Sequence, residues 1–408
     1  MLYTAATSLA IAIALHSIPI LAAQCTLPAI LNPQENIWKT RTLHPTSLYR
    51  AKVEAAVKAI KDEDLKGRAS KVADIGTFTW LKSPGDIQAI SALADEVPCD
   101  QILGLVLDNL PYKSAPSNGP APEYDEGTED AYKTLFIEPL ATTIKSHPNT
   151  AFALIIEPNA FPQYFNATTT TTSTTPSAQH EKNLARSYRA NIPVALRALE
   201  LPNAIVYLDA GHSNSLDWAL LRNSTAEALG QIYEAAGRPA RVRGFAANVA
   251  GWNAWDLAPG EFARADDSRD IRPSNEKNFI RILSSALQAH NIPTHHALLD
   301  TSRNGVSGLR YTWDEWCNVN GAGLGVRPRA AETTNREVEG EGEGEGEGVY
   351  LDAFVWVKRP GESDGVSSER GGDPVDCAAL SAVRPAPERD VWFQGFFEML
   401  VRNADPEL

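Results

Sequence analysis

Thr150-Ala151-Phe152-Ala153-Leu154-Ile155-Ile156 carries no charge, and the polar turn Glu157-Pro158-Asn159 follows at once. A short apolar run of this kind, rich in Ile, Leu and Phe, reads as a strand. The same unit recurs outward in both directions. Apolar runs stand at Val72 to Trp80 and Ile102 to Leu107 before it, and at Ala204 to Leu208, Val242 to Val249, His296 to Leu299 and Leu351 to Val357 after it. Between most of them, apolar residues recur at helical spacing: Leu48 to Ile60, Asp86 to Ala94, Glu129 to Ser146, Glu181 to Leu199, Ala219 to Ala236 and Glu276 to His290. Strands alternating with helices imply right-handed βαβ units and a parallel sheet. Seven such strands without a glycine-rich dinucleotide fingerprint favour an α/β fold closed, or nearly closed, into a parallel β/α barrel of the TIM kind. The interval from Asp300 to Tyr350 lacks a clear helix and reads as loop.

Polar groups gather just after these runs. Asp108 and Asn109 follow the second, Glu157-Pro158-Asn159 the third and Asp209-Ala210-Gly211-His212 the fourth. Asn248 closes the fifth, Asp300 the sixth and Lys358 the seventh, with Glu362 and Asp364 nearby. Any one of them could be a turn or helix cap. A parallel barrel brings all these ends to one face, where catalytic groups collect. Trp80, Trp218, Trp252, Trp255, Trp316 and Trp356 lie at or near strand ends or in loops. Indole faces stack on the apolar faces of pyranose rings, so tryptophans around an acidic basin suggest a saccharide groove.

Charge agrees with a neutral ligand. The 408 residues carry a formal net charge of -14, with no basic stripe that would track nucleic acid. Met1 to Ala23 is apolar, ends in small residues and reads as a signal peptide, with residues 24–408 left as one barrel domain of a secreted, extracellular protein. His16 and Pro19 interrupt that stretch, and no later segment is apolar enough to span a membrane. Cys25, Cys99, Cys317 and Cys377 are an even set, which in a secreted chain suggests disulfides in one of three connectivities. No C-x-x-C pair points to zinc, no cofactor or metal is expected, and the chain is expected to be a monomer. The sequons at Asn166 and Asn223 fit secretion. The threonine run from Ala167 to Ser177 and the Glu-Gly run from Glu337 to Gly348 read as surface insertions, the latter disordered.

Several separate stretches carry a resemblance. Tyr207-Leu208-Asp209-Ala210-Gly211-His212, Glu315-Trp316-Cys317-Asn318-Val319, Gly323-Leu324-Gly325-Val326-Arg327-Pro328, Phe354-Val355-Trp356-Val357-Lys358, Gly361-Glu362-Ser363-Asp364-Gly365 and Trp392-Phe393-Gln394 resemble, in order and spacing, the signature stretches of family 6 glycoside hydrolases. The resemblance runs from about Asn32 to the C-terminus. It implies a distorted seven-stranded parallel β/α barrel that hydrolyses β-1,4 bonds of cellulose with inversion, and a β-glucan or cello-oligosaccharide as partner. It also implies Asp364 as the base acting through waters, and Asp209 is counted with Asn159 and Asp364 among the catalytic positions. Asp209, His212, Asn248, Lys358 and Glu362 match residues that hold the sugar; Trp80, Trp218 and Trp316 match stacking platforms. Cys317 and Cys377 match a disulfide that pins a roof loop. Cys25 and Cys99 match no pair of the family, and their pairing stays open.

The chain departs from that family at the centre of its chemistry. Inversion needs a proton donor on one side of the scissile bond and a base that activates water on the other. The family's donor is the Asp of a Glu-Pro-Asp stretch, and Asn159 stands there. An amide cannot supply a carboxylic proton. Past Leu110-Pro111 the family carries a helper Asp, where this chain reads Tyr112-Lys113-Ser114-Ala115-Pro116. The family's active-site Tyr is absent at Leu107 or Asp108, and Ser215 replaces a Trp. Two functions follow: a glucanase that borrows another donor (Asp108, Glu157 or an acid of the loop Glu123 to Asp130), or a glucan-binding protein without catalysis on the same fold.

Overall fold

The computed structural model describes residues 25–113, 129–169, 176–215, 218–256, 275–310, 315–332, 350–367, 377 and 379–408, side chains at 168–169, 176–178 and 218–222 excepted. The Glu-Gly run, the first 24 residues and the segment 114–128 lie outside that set.

The strands are β1 (Thr42–Leu43), β2 (Thr79–Leu81), β3 (Gln101–Leu107), β4 (Phe152–Ile156), β5 (Ala204–Asp209), β6 (Val242–Ala247), β7 (His296–Asp300), β8 (Arg329–Ala330) and β9 (Leu351–Val355). The parallel order is β3-β4-β5-β6-β7-β9. β1 and β2 share the open edge of β3 end to end, and β8 closes the other side antiparallel to β9. The ring is therefore parallel and nearly closed, as expected. Across the gap, the Phe78 amide donates to the Trp356 carbonyl at 3.0 Å, and the Trp80 indole to that of Val357 at 2.9 Å. These bonds tie β2 to the segment that follows β9.

Burial on both faces of each strand explains the unbroken apolar runs. Leu105, Leu154 and Val206 are in register and face the helices; Val106, Ile155 and Tyr207, one residue on, face the barrel interior. Each such side chain contributes about 1.5–3 kcal/mol by leaving water. The interior also holds an ion pair: Arg243 Nε and Nη2 donate to the two Asp352 oxygens at 2.5 and 2.6 Å, and the Tyr207 hydroxyl donates to Asp352 at 2.8 Å. The outer layer is α3 (Ile90–Asp95), the short α4 (Glu129–Ala131), α5 (Glu138–Ser146), α7 (Pro176–Ala198), α8 (Trp218–Ala235) and α9 (Glu276–Ala289). A separate cluster joins α1 (Ser47–Ala59), α2 (Glu63–Lys71) and α10 (Gln394–Arg402) through Tyr49, Val53, Phe396 and Phe397.

Two expectations need correcting. Val72 to Trp80 is a strand only at Thr79–Leu81; Val72–Asp74 is a 3-10 turn that continues α2. The threonine run is helical at its ends, within α6 (Ala160–Thr169) and the start of α7, and 170–175 lie outside the described residues. Finally, α2, α6, α10, β1 and β8 are elements that the sequence pattern did not disclose.

Candidate active site

The strand ends carry an unusual backbone. Glu157, Asn159, Asn248, Ala250, Asn318 and Asp390 all hold positive φ, between 41° and 64°. Left-handed geometry at a residue with a side chain costs on the order of 1–3 kcal/mol and clusters at functional sites. Asn tolerates it best, because its short amide can bond locally.

At the end of β4 the turn splits its two polar residues. Glu157 is fully buried and accepts four bonds: the Asn109 and Leu110 amides at 2.9 and 3.0 Å, the Tyr132 hydroxyl at 2.9 Å and Lys113 Nζ at 2.9 Å. Lys113 also pairs with Asp108. Burial alone would lower the Lys113 pKa, but the charges of Asp108 and Glu157 outweigh it and hold the ammonium above its ordinary value. Burial pushes the Glu157 carboxyl up, with Lys113 pulling the other way. Both acids weighed as substitute donors are thus engaged by one lysine. The Glu123 to Asp130 loop lies outside the described residues except at Glu129 and Asp130.

Asn159 points the other way and is exposed. Its side chain has no hydrogen-bond partner among the described residues, while its backbone N–H donates to Asp209 Oδ2 at 2.8 Å. Gly211 N–H reaches the same oxygen at 3.1 Å. Gly211 sits at φ +79°, and a Cβ there would come within 2.5 Å of Ser215 Oγ. Asp209 Oδ1 takes no bond from any described residue. Burial raises the Asp209 carboxyl to about 7 against the two amide bonds.

Across the basin, Asp364 is 5% exposed and both its oxygens accept from Arg303 Nη1 at 2.8 Å. The Asn318 amide adds a bond at 2.9 Å, and Lys358 Nζ lies 3.8 Å away. The Arg303 guanidinium lies 3.8 Å from the Trp252 ring centroid, so the carboxylate, the cation and the indole form one stack. Lys358 donates to Asp390 at 3.2 Å, and Lys82 pairs with the same acid. Burial opposes ionisation of Asp390, but Lys358 and Lys82 win and hold its pKa well below the usual range. Glu362 is buried against Lys52 at 2.7 Å and Arg359 at 3.2 Å, so its carboxylate is engaged by protein cations. Asp300 accepts four backbone amides, from Ala250, Ser302, Val357 and Lys358, and clamps the ends of β7 and β9 together.

A third group lies beyond β5. His212 Nδ1 accepts from the Asn214 amide at 3.3 Å, which leaves its proton on Nε2. Burial and then Arg310 lower its pKa to about 4, so the ring is neutral at ordinary pH. Glu276 opens α9 and is fully buried; its Oε1 accepts from Ser213 N and Asn253 Nδ2, and its Oε2 is buried without a hydrogen-bond partner among the described residues. Burial lifts that carboxyl to about 7. Asn248 is fully buried, bonding the Asp300 carbonyl at 3.0 Å and the Asn253 amide at 3.2 Å. Its amide shapes the loop beyond β6.

The tryptophans divide. Trp80 and Trp316 are half-buried, with Lys82 over the first ring and Arg389 over the second. Trp252 and Trp356 are buried core residues, which corrects their reading as loop aromatics of a groove. Trp255 is half-buried with its edge on Phe354. The Trp218 side chain lies outside the described residues. Cys317–Cys377 and Cys25–Cys99 are both disulfide-bonded, and the second settles a pairing that the sequence left open. Among the described residues, no three His, Cys, Asp or Glu converge to hold a metal ion, and no helix is long and apolar enough to cross a membrane.

Sequence reasoning missed Arg303, Glu276 and Asp390. Arg303 had a signal, since it lies three residues past the strand-closing Asp300. Glu276 read only as a helix start, and Asp390 had none.

Comparison with known proteins adds independent findings. The family model described as "Glycosyl hydrolases family 6" matches residues 38–404. The chain is 41% identical to a 1,4-beta-D-glucan cellobiohydrolase CEL6C of Podospora anserina, over 95% of this chain and 92% of that one. It is 32% identical to exoglucanase-6A of Humicola insolens, over 92% of this chain and 75% of that one. Among solved structures, it resembles cellobiohydrolase II of Humicola insolens in complex with glucose and cellotetraose, with a TM-score of 0.76, 30% identity, and 92% and 100% of the two chains covered.

Proposed function

The chain belongs to glycosyl hydrolase family 6, and on that premise we propose that it is a secreted glucanase that hydrolyses the β-1,4 bonds of cellulose with inversion. Inversion needs a carboxyl that can give a proton and a carboxylate that can draw one from water, on opposite faces of the sugar. What supports the reading is one pair of groups, a buried carboxyl at the end of β5 and an ion-paired carboxylate in the loop beyond β9. Asp209 is a buried carboxyl with one oxygen free of described partners, and Asp364 is a carboxylate ion-paired with Arg303.

In this proposal the glucan lies over the strand ends. Trp80, Trp316 and Trp218 stack on glucose units, and His212, Asn248, Lys358 and Glu362 border the sugar, Asn248 and Glu362 by shaping its walls. Asp364 receives the water's proton through a short chain of waters, because Arg303 and Asn318 fill its near side. Residues 1–23 act as a signal, and 24–408 form one monomeric, extracellular domain. Asn166 on α6 and Asn223 on α8 are exposed, as glycan acceptors must be.

The experiment is release of reducing ends from soluble β-1,4-glucan by the purified protein, with cellotetraose binding measured alongside. Release above a no-enzyme control is expected. Tight binding without release would leave a glucan-binding protein, and neither would end the reading.

A further inference from the structure

The basin holds its acids in unequal states. Glu157 accepts four bonds and is sealed from the basin. Asp108 is paired with Lys113, which also holds Glu157. Asp364, Glu362 and Asp390 each face protein cations. Glu276 is buried behind Ser213 and Asn253. Asp209 differs from all of these. It is the last residue of β5, two past the interior-facing Tyr207, so its side chain points into the top of the barrel. Its only described donors are two backbone amides, both on Oδ2, and one belongs to Asn159 itself.

We infer that Asp209 is the proton donor of this enzyme and takes the part of the carboxyl that Asn159 lacks. The inference rests on the glucanase reading above. Asn159 contributes its backbone: its N–H pins Oδ2 and leaves Oδ1 to carry the proton. The Asp209 Oδ1 proton passes to the glycosidic oxygen as the C1–O bond breaks and its electron pair stays on that oxygen. A water oxygen bonds C1 from the opposite face, and the proton that this water sheds reaches Asp364 through water. Asp209 is left as a carboxylate and takes its next proton from solvent, while Asp364 returns its own. The sum is one glycoside and one water giving two sugars.

The electrostatics agree with that role. The carboxyl is raised to about 7 by burial, so it carries a proton through the mildly acidic range. Beyond β3, Asp108 adds to that effect and Lys113 reduces it; Tyr188 of α7 lies close enough to feel the charge. The donor fails as pH rises through its pKa, so activity should fall above about 7.

The test is Asp209→Asn in the full chain, with two substrates. Cellotetraose needs a proton on its leaving oxygen, whereas β-cellobiosyl fluoride loses fluoride with little acid help. Cellotetraose turnover should drop by about two to four orders of magnitude. Fluoride hydrolysis should drop by less than about tenfold, and the alkaline limb should vanish from the residual profile. Restoring a carboxyl next door, as Asn159→Asp in the same variant, should recover part of the cellotetraose rate. Equal loss on both substrates would make Asp209 a sugar-holding or structural residue and overturn the inference, as would no loss at all. Wild type that binds cellotetraose but cleaves none would also overturn it, leaving a glucan-binding reading in place. Wild type that binds none would remove the glucan reading itself.

Discussion

The backbone amide of Asn159 donates to Asp209 Oδ2 at 2.8 Å, so the residue at the expected acid position also holds a buried carboxyl in place. A backbone bond survives any side-chain change at 159 that keeps the turn. Asn159→Asp should therefore fold and keep Asp209 in place. With Asp209 already donating, the cellotetraose rate at pH 5 should change by less than about tenfold, against the factor of about 10²–10⁴ that a newly supplied general acid brings. Steady-state kinetics on both proteins decide it. A gain of a hundredfold or more would show that position 159 alone limits catalysis.

Trp316 and Trp252 should separate binding from stability. Trp316 is half-buried, and in the proposed function its ring stacks on a glucose unit. Trp316→Ala should weaken cello-oligosaccharide binding by about tenfold or more, about 1.4 kcal/mol, with little change in melting temperature. Trp252 is buried under Arg303. Trp252→Ala should cost about 3–5 kcal/mol of stability, as large-to-small core changes do. Calorimetry of binding and thermal melts check both; unchanged affinity in folded Trp316→Ala would place the sugar elsewhere.

The Cys317–Cys377 disulfide closes a loop across a separation of 60 residues. Replacing both by Ser should cost about 4 kcal/mol in the chain-entropy account. It should also slow turnover, because Asn318, next to Cys317, bonds Asp364 through its amide. A double variant with wild-type melting temperature and rate would show that the loop holds its shape without the bridge.

Glu276 gives a pH signature of its own. Burial raises its carboxyl to about 7, above the unfolded value. A raised pKa contributes stability that is full below the unfolded value near 4.3 and is lost as pH rises through about 7. Glu276→Gln cannot ionise and should flatten that loss. Relative to wild type it should be near neutral at pH 5 and more stable at pH 8 by about 1–3 kcal/mol. Denaturant titrations at the two pH values that show parallel curves for the two proteins would contradict it.

Much of the barrel could be read from the sequence, because every central strand is buried on both faces and shows an unbroken apolar run. β1 and β8 have two residues each, too few for any period to show. α6 follows the β4 turn directly, and its last residues, from Ala167, read as the start of the threonine-run insertion. The run before Glu157-Pro158-Asn159 marks only a polar strand end; the expectation of an acid position at Asn159 came from the family resemblance. What could not be read was which acids are paired. Lys113 reaches Glu157 across 44 residues and Arg303 reaches Asp364 across 61, and no local pattern encodes contacts of that range. The division of tryptophans failed for the same reason, since Trp252 and Trp356 are buried by α1 and α10 from the two ends of the chain.

The central claim is hydrolysis with inversion, and proton NMR of cellotetraose cleavage tests it most directly. The anomeric signals of newly formed cellobiose would be followed in the first minutes, before mutarotation mixes them. The account predicts that the α-anomer appears first and then relaxes toward equilibrium. Cellobiose appearing first as the β-anomer, or cellotetraose bound and never cleaved, would contradict it.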